Sequence, residues 1–250
     1  MLTDPEIIGR VFMLALCGVV LWQIYCARRK LPPLRKIPGL QVFEEAIGRA
    51  AELGRPVYYC PGWGEKLQLS PIQFAAISLI TAVARGAARL GLRTFVTIAK
   101  PPGFYPMVLE AVREAYVAEG QRDLFSPDDI KFVSEDQSAY AAATVGLIAR
   151  ERPGSCFLLG DYGFESLIVA EAGQRVNAFQ ISGTPQYHQT PFFVCATDYT
   201  LIAEEYFAAS AYLSNDPQSI GSLVGQDWIK AAIIATGVIG TIVNTVGVLR

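Results

Sequence analysis

Histidine is almost missing from this chain: His188 is the one copy in 250 residues. A metal cluster built on imidazoles therefore has too few ligands. The five cysteines, Cys17, Cys26, Cys60, Cys156 and Cys195, stand far apart and form no CxxC spacing. Neither a disulfide frame nor a zinc site is read from them, and a reducing compartment fits best. Charge is scarce as well. Charged residues make up 18%, against about 25% in an ordinary soluble domain. The formal net charge of −2 gives no electrostatic case for nucleic acid as a partner. Phosphate and acyl-transfer motifs are absent too: there is no Walker sequence and no GxSxG. Pro61-Gly62-Trp63-Gly64 falls short of GxGxxG, because Leu67 stands where the third glycine belongs and Pro61 removes a backbone donor. No metal, no cofactor and no internal repeat is expected.

What the chain has instead is two long uncharged runs, one near each end. Residues 11–27 carry no charge, and Ile7, Ile8 and Gly9 extend the apolar length through Arg10. A bilayer core of about 30 Å takes roughly 20 helical residues, and arginine can snorkel at the end of such a span. Trp22 and Tyr25 fall near the far boundary, where amphipathic rings prefer to sit. Arg28, Arg29 and Lys30 follow the run, Asp4 and Glu6 precede it, and no small-x-small cleavage site appears. An uncleaved anchor over 7–27 is therefore expected rather than a signal peptide. Residues 231–249 form the second run, entered through Trp228 and Lys230, and a span over 228–249 is expected. Gly237, Gly240 and Gly247 thin one side of it and Asn244 is polar within it, the pattern used for helix pairing in lipid. The cations Arg28, Arg29, Lys30, Arg35 and Lys36 crowd the region after the first run. The positive-inside rule then makes the middle of the chain cytoplasmic, with both termini outside.

Between the runs, a proline-rich basic linker (28–39) precedes a domain over 40–227. A helix is expected over 42–53, capped by Gly54. Then strands alternate with helices. Strands are expected at 57–60, 94–99, 130–133, 156–159, 177–181 and 191–196. Helices are expected from Ser70-Pro71 to about Leu90, then over 106–119, from the 134–137 turn to Arg150, and over 164–173 and 201–213. Serine before proline marks the start of the first of these. The alternation argues for a three-layer, Rossmann-like α/β sandwich with a mostly parallel sheet, flanked by an N-terminal and a C-terminal transmembrane helix. The last two strands, joined by SGTPQYHQTP, are left open as parallel, antiparallel or a hairpin.

In such a sheet the loops at the carboxyl ends of the strands converge. They bring Trp63, Lys100, Asp136, Asp161, Tyr162 and Asp198 forward as ligand-binding candidates, together with Cys60, Glu135, Glu165 and Tyr199. The set is acidic with one or two cations, unlike a phosphate cradle. Plain structural readings stand beside it: Asp161 and Asp198 as helix caps, Cys60 as a buried thiol without a nearby base, and His188 as a surface residue.

The runs GLQVFEEAIGRAAELGRPVYYCPG (39–62), ATDYTLIAEEYFAASAYLS (196–214) and SLVGQDWIK (222–230) resemble an uncharacterised prokaryotic membrane-anchored α/β family catalogued only as a domain of unknown function. The resemblance covers about residues 37–230. It implies an α/β domain beside transmembrane helices, and it brings no catalytic residues. The function expected from the sequence is a membrane-anchored scaffold on the cytoplasmic face, whose partners are the lipid bilayer, further copies of itself and other membrane proteins. The alternative is a small-ligand or nucleotide sensing module that uses the strand-end loops. A transporter is not expected from two spans.

Overall fold

Five of the six expected strands form, and those near 57–60, 94–98 and 155–159 are buried throughout, as strands sandwiched between helical layers are. The computed structural model describes residues 5–30, 39–64 and 68–248. The basic linker, apart from residues 28–30 and 39, lies outside them. The chain divides into two units, Met1–Arg35 with Asn215–Arg250, and Lys36–Ser214.

The larger unit runs α2 (Gly39–Glu52), β1 (Val57–Cys60), α3 (Pro71–Arg89), β2 (Thr94–Ile98), α4 (Phe104–Ala118), β3 (Ile130–Phe132) and α5 (Gln137–Glu151). It continues with β4 (Ser155–Leu159), α6 (Glu165–Arg175), β5 (Phe179–Thr184), α7 (Thr190–Ala196), β6 (Tyr199–Ile202) and α8 (Glu205–Ser214). The six strands make one sheet in the order β3-β2-β1-β4-β5-β6. Every neighbouring pair is parallel. This is the doubly wound arrangement, whose direction of winding reverses between β1 and β4.

Strand residues alternate between two cores. Val57, Tyr59, Val96, Ile98, Phe157 and Leu159 pack with residues of α2, α3, α4 and α8. Tyr58, Cys60, Phe95, Cys156 and Leu158 pack on the other face with residues of α5, α6 and α7. Removing one such side chain from water contributes about 1.5–3 kcal/mol. Helix α3 starts as its local sequence predicts: Ser70 and Gln73 form a capping box and Pro71 opens the helix.

Residues 191–196 overturn an expectation. They were expected to form a strand, and they lie in α7. An apolar run this short does not declare its period. Here Thr190, Phe193 and Ala196 are buried while Phe192, Val194 and Cys195 are exposed, a spacing of three, and Pro191 sits in the first turn. Helix α7 is the crossover between β5 and β6, so the last two strands are parallel. Residues 199–202, expected as a turn and a helix start, are the edge strand, and the final helix begins at Glu205.

In the smaller unit, α1 (Pro5–Arg29) packs against α9 (Pro217–Val248). Helix α9 begins eleven residues before the expected span at 228. Among the described residues two helices are long and apolar enough to cross a membrane, Pro71–Arg89 and Pro217–Ile242. The first is half buried within the α/β unit and is a core helix. Met13, Leu14, Leu21, Trp22 and Tyr25 leave α1 apolar on its outside. Gly237 and Gly240 meet nothing within 4 Å in this chain; the close approach to α1 is made by Gly221 and Gly225. Asn244 is exposed, and the side of Gly247 lies outside the described residues.

Candidate functional site

The winding reversal places the exit loops of β1 and β4 side by side, at the position where such sheets open a crevice for ligands. In this chain the two loops close on each other. The amide of Asp161 donates to the carbonyl of Pro61 at 2.9 Å, and that of Gly64 to the carbonyl of Asp161 at 3.2 Å. The exit loop of β2 joins them, the amide of Lys100 donating to the carbonyl of Trp63 at 3.0 Å. Glycine permits this contact. Gly62 has φ +81°, and a side-chain carbon there would run into the Asp161 carbonyl; one on Gly160 would run into the Pro61 carbonyl.

A helix N-terminus is a place that receives anions, and Glu165 is fully buried at the first residue of α6. Its carboxylate accepts the backbone N–H of Trp63 at 3.1 Å and that of Gly163 at 3.1 Å. It also accepts the side-chain amide of Gln137. The positive end of the helix dipole and the convergent N–H groups thus already hold an anion that belongs to the chain.

The candidates named from the sequence have these places. Trp63 donates its indole N–H to the carbonyl of Glu135 at 2.8 Å, and the Lys100 ammonium lies 4.1 Å from its ring centre. Asp136 caps α5, accepting the Ala139 amide at 2.8 Å. Asp161 is buried and accepts the Gln186 side-chain amide at 3.0 Å. It does not cap α6, whose N-cap is Phe164. The Tyr162 hydroxyl donates to the carbonyl of Cys60 at 2.6 Å, and its ring stands edge-on to Phe193 at 4.9 Å. Asp198 is separated from all of these. It accepts the backbone N–H of Gln180 at 2.7 Å, at the amino end of β5. Because α7 replaces the expected strand, Asp198 enters a strand rather than leaving one. It caps no helix and stands at the opposite end of the strands. There it borders an open, polar hollow of ≈ 730 Å³ with Arg49, Asn177, Gln180 and Cys195.

Beneath the closed loops, Cys60 belongs to a buried hydroxyl network. The Tyr58 hydroxyl lies 2.6 Å from Thr97 Oγ1, and Tyr140 Oη lies 3.2 Å from Cys60 Sγ and 3.3 Å from Thr97 Oγ1. Burial pushes the Tyr58, Tyr140 and Tyr162 phenols well above their ordinary range, and the Cys156 thiol with them. These groups stay protonated, and none is a base that would make Cys60 a thiolate. His188 is exposed and edge-on to Tyr187 at 5.7 Å. No group of His, Cys, Asp and Glu suited to a metal occurs among the described residues.

Gln137 and Gln186, which hold the buried carboxylates of Glu165 and Asp161, are missing from the candidates read off the sequence. Each lies about 25 residues from its partner, and no local signal announces such a pairing. For Glu165 a signal existed: an acidic residue in the first turn of a helix.

A family model described as "Domain of unknown function (DUF6754)" matches residues 4–250. No curated protein and no solved structure matches the chain.

Proposed function

We propose, from the premise that the chain belongs to the DUF6754 family, that it is a structural module held in a membrane by α1 and α9. Its α/β unit stands on the cytoplasmic face of a prokaryotic membrane and associates with further copies or with other membrane proteins. The observation that carries this reading is the closure of the β1–β4 crevice by its own backbone, with Glu165 standing in the anion position. A fold that fills its ligand position with its own peptide groups is suited to rigidity and surface presentation. The apolar exterior of α1 and the uncharged second half of α9 support the anchoring, and the cations at residues 28–30 support the orientation.

The test uses the full-length chain in mild detergent, followed by thermal unfolding with a panel of nucleotides and small metabolites and by native mass spectrometry. A ligand at a hundredfold its Kd adds about 2.7 kcal/mol, a readily visible rise in midpoint. The expected outcome is no stabilisation and a mass above that of one copy. A nucleotide that raises the midpoint would replace this reading with the sensing module.

A further inference from the structure

Helices α1 and α9 run antiparallel, and two glycines fix their register. A side-chain carbon on Gly221 would lie 2.6 Å from the Ile24 Cα, and one on Gly225 3.1 Å from the Val20 Cα. Ile229 and Ala232 continue the same face of α9 and line a groove with Leu16, Val19 and Trp22 of α1. Continued at 1.5 Å per residue, this register sets Asp227 beside the middle of the uncharged run 11–27, about 10 Å inside its nearer end. The uncharged run of α9 begins only at Ala231. A bilayer core placed on α1 therefore includes Gln226, Asp227 and Lys230 of α9.

Those three residues share one face of α9, and it is the face opposite Gly221, Gly225, Ile229 and Ala232. All three are exposed. The Asp227 side chain is 76% exposed and that of Lys230 44%, and the two meet loosely at 3.9 Å. Lysine can snorkel to the interface; aspartate is too short to do so. A carboxylate facing acyl chains is costly, and residues of this kind ordinarily face protein.

We propose that this face of α9 is a homotypic interface in which Asp227 and Lys230 pair with the same residues of a second copy. The inference rests on the reading above that the helix pair lies in a membrane. Two copies related by a two-fold axis along the bilayer normal carry identical residues at identical depth. Asp227 and Lys230 are one helical turn apart, so each Asp227 reaches the partner subunit's Lys230 and the contact forms twice. The charge pattern is complementary to itself, and a second copy is the partner that supplies the match without further assumption. Gln226 adds a side-chain amide able to bond across the same seam.

Charge inversion tests this in full-length chains reconstituted in nanodiscs or mild detergent, with particle mass as the readout. D227K sets lysines against lysines, and about tenfold weaker association is expected. K230D should do the same with carboxylates. Co-expressed under two different tags, the two variants should recover association with each other and not with themselves. Should either fail to accumulate alone, the neutral pair D227N and K230Q takes its place, again with weaker association expected. Association that ignores all these changes overturns the interface alone. A monomeric wild-type chain overturns both the interface and the self-association in the wider reading. An oligomer that obeys the charge swap yet is stabilised by a nucleotide overturns only the reading of the crevice.

Discussion

Gly62 and Glu165 are the two residues on which the closed crevice depends, and each can be probed separately. Alanine at Gly62 would have to hold φ near +81° with its methyl group against the Asp161 carbonyl. A destabilisation of about 2–4 kcal/mol is expected in denaturant titration of the full-length chain. A loss below about 0.5 kcal/mol would mean that the loops separate easily. Glutamine at Glu165 keeps the shape, but it removes the charge and turns an N–H₂ group toward backbone donors. About 2–3 kcal/mol should be lost. Tyrosine gives a third probe at this scale. Tyr58, Tyr59, Tyr140, Tyr162 and Tyr206 are pushed up by burial, and Tyr116 up to about 12. A phenol whose pKa is higher folded than unfolded stabilises the native state fully below about pH 10 and loses that contribution as the pH climbs toward 12. For Tyr116 alone the difference is about 2–3 kcal/mol. Tyrosinate absorbance from these residues and loss of helical circular dichroism should therefore appear together between those values. A full tyrosinate signal near pH 10 with the dichroism intact would contradict their burial.

Among the elements, α7 separates what the sequence makes legible from what it hides. Helix α3 could be read because its start is local: Ser70, Pro71 and Gln73 cap it with no help from elsewhere. Strands β1, β2 and β4 could be read because runs buried on both faces need no alternation. The run over 190–196 is apolar and too short to show a period, and the choice between strand and helix passes to tertiary packing. Asp198 inherits the error, since which end of the sheet it occupies depends on whether the segment before it is a strand. Truncation at two neighbouring phenylalanines distinguishes the alternatives. A strand would bury Phe192 and Val194 and expose Phe193; the helix buries Phe193 completely and leaves Phe192 46% exposed. Phe193→Ala should cost about 3–5 kcal/mol, because a cavity opens beside the Tyr162 ring. Phe192→Ala should change stability by no more than about 0.5 kcal/mol. The reverse ranking would restore the strand. The pairing of Glu165 with Gln137 and Trp63 stays illegible for a different reason: it joins three loops distant in sequence, and only the assembled sheet brings them together.

For the whole molecule, the argument turns on where its two hydrophobic cores come from. The core under α2, α3, α4 and α8 begins at Phe43 and ends at Ala209. The one under α5, α6 and α7 begins at Tyr58 and ends at Ala196. All of these core residues lie within Lys36–Ser214. A chain that keeps its cores to itself meets the requirement for folding alone. The fragment 36–214 should accordingly be soluble without detergent and unfold in one cooperative step. Its midpoint should lie within about 5 °C of the α/β transition in the full-length chain. The terminal pair should behave differently. Val20 and Ile24 meet Gly221 and Gly225 too closely to admit a larger residue, so Gly221→Leu should separate α1 from α9 and leave the α/β transition where it was. A fragment that aggregates, or a shift of the α/β midpoint with Gly221→Leu, would show that the membrane helices complete the fold as well as hold it in place.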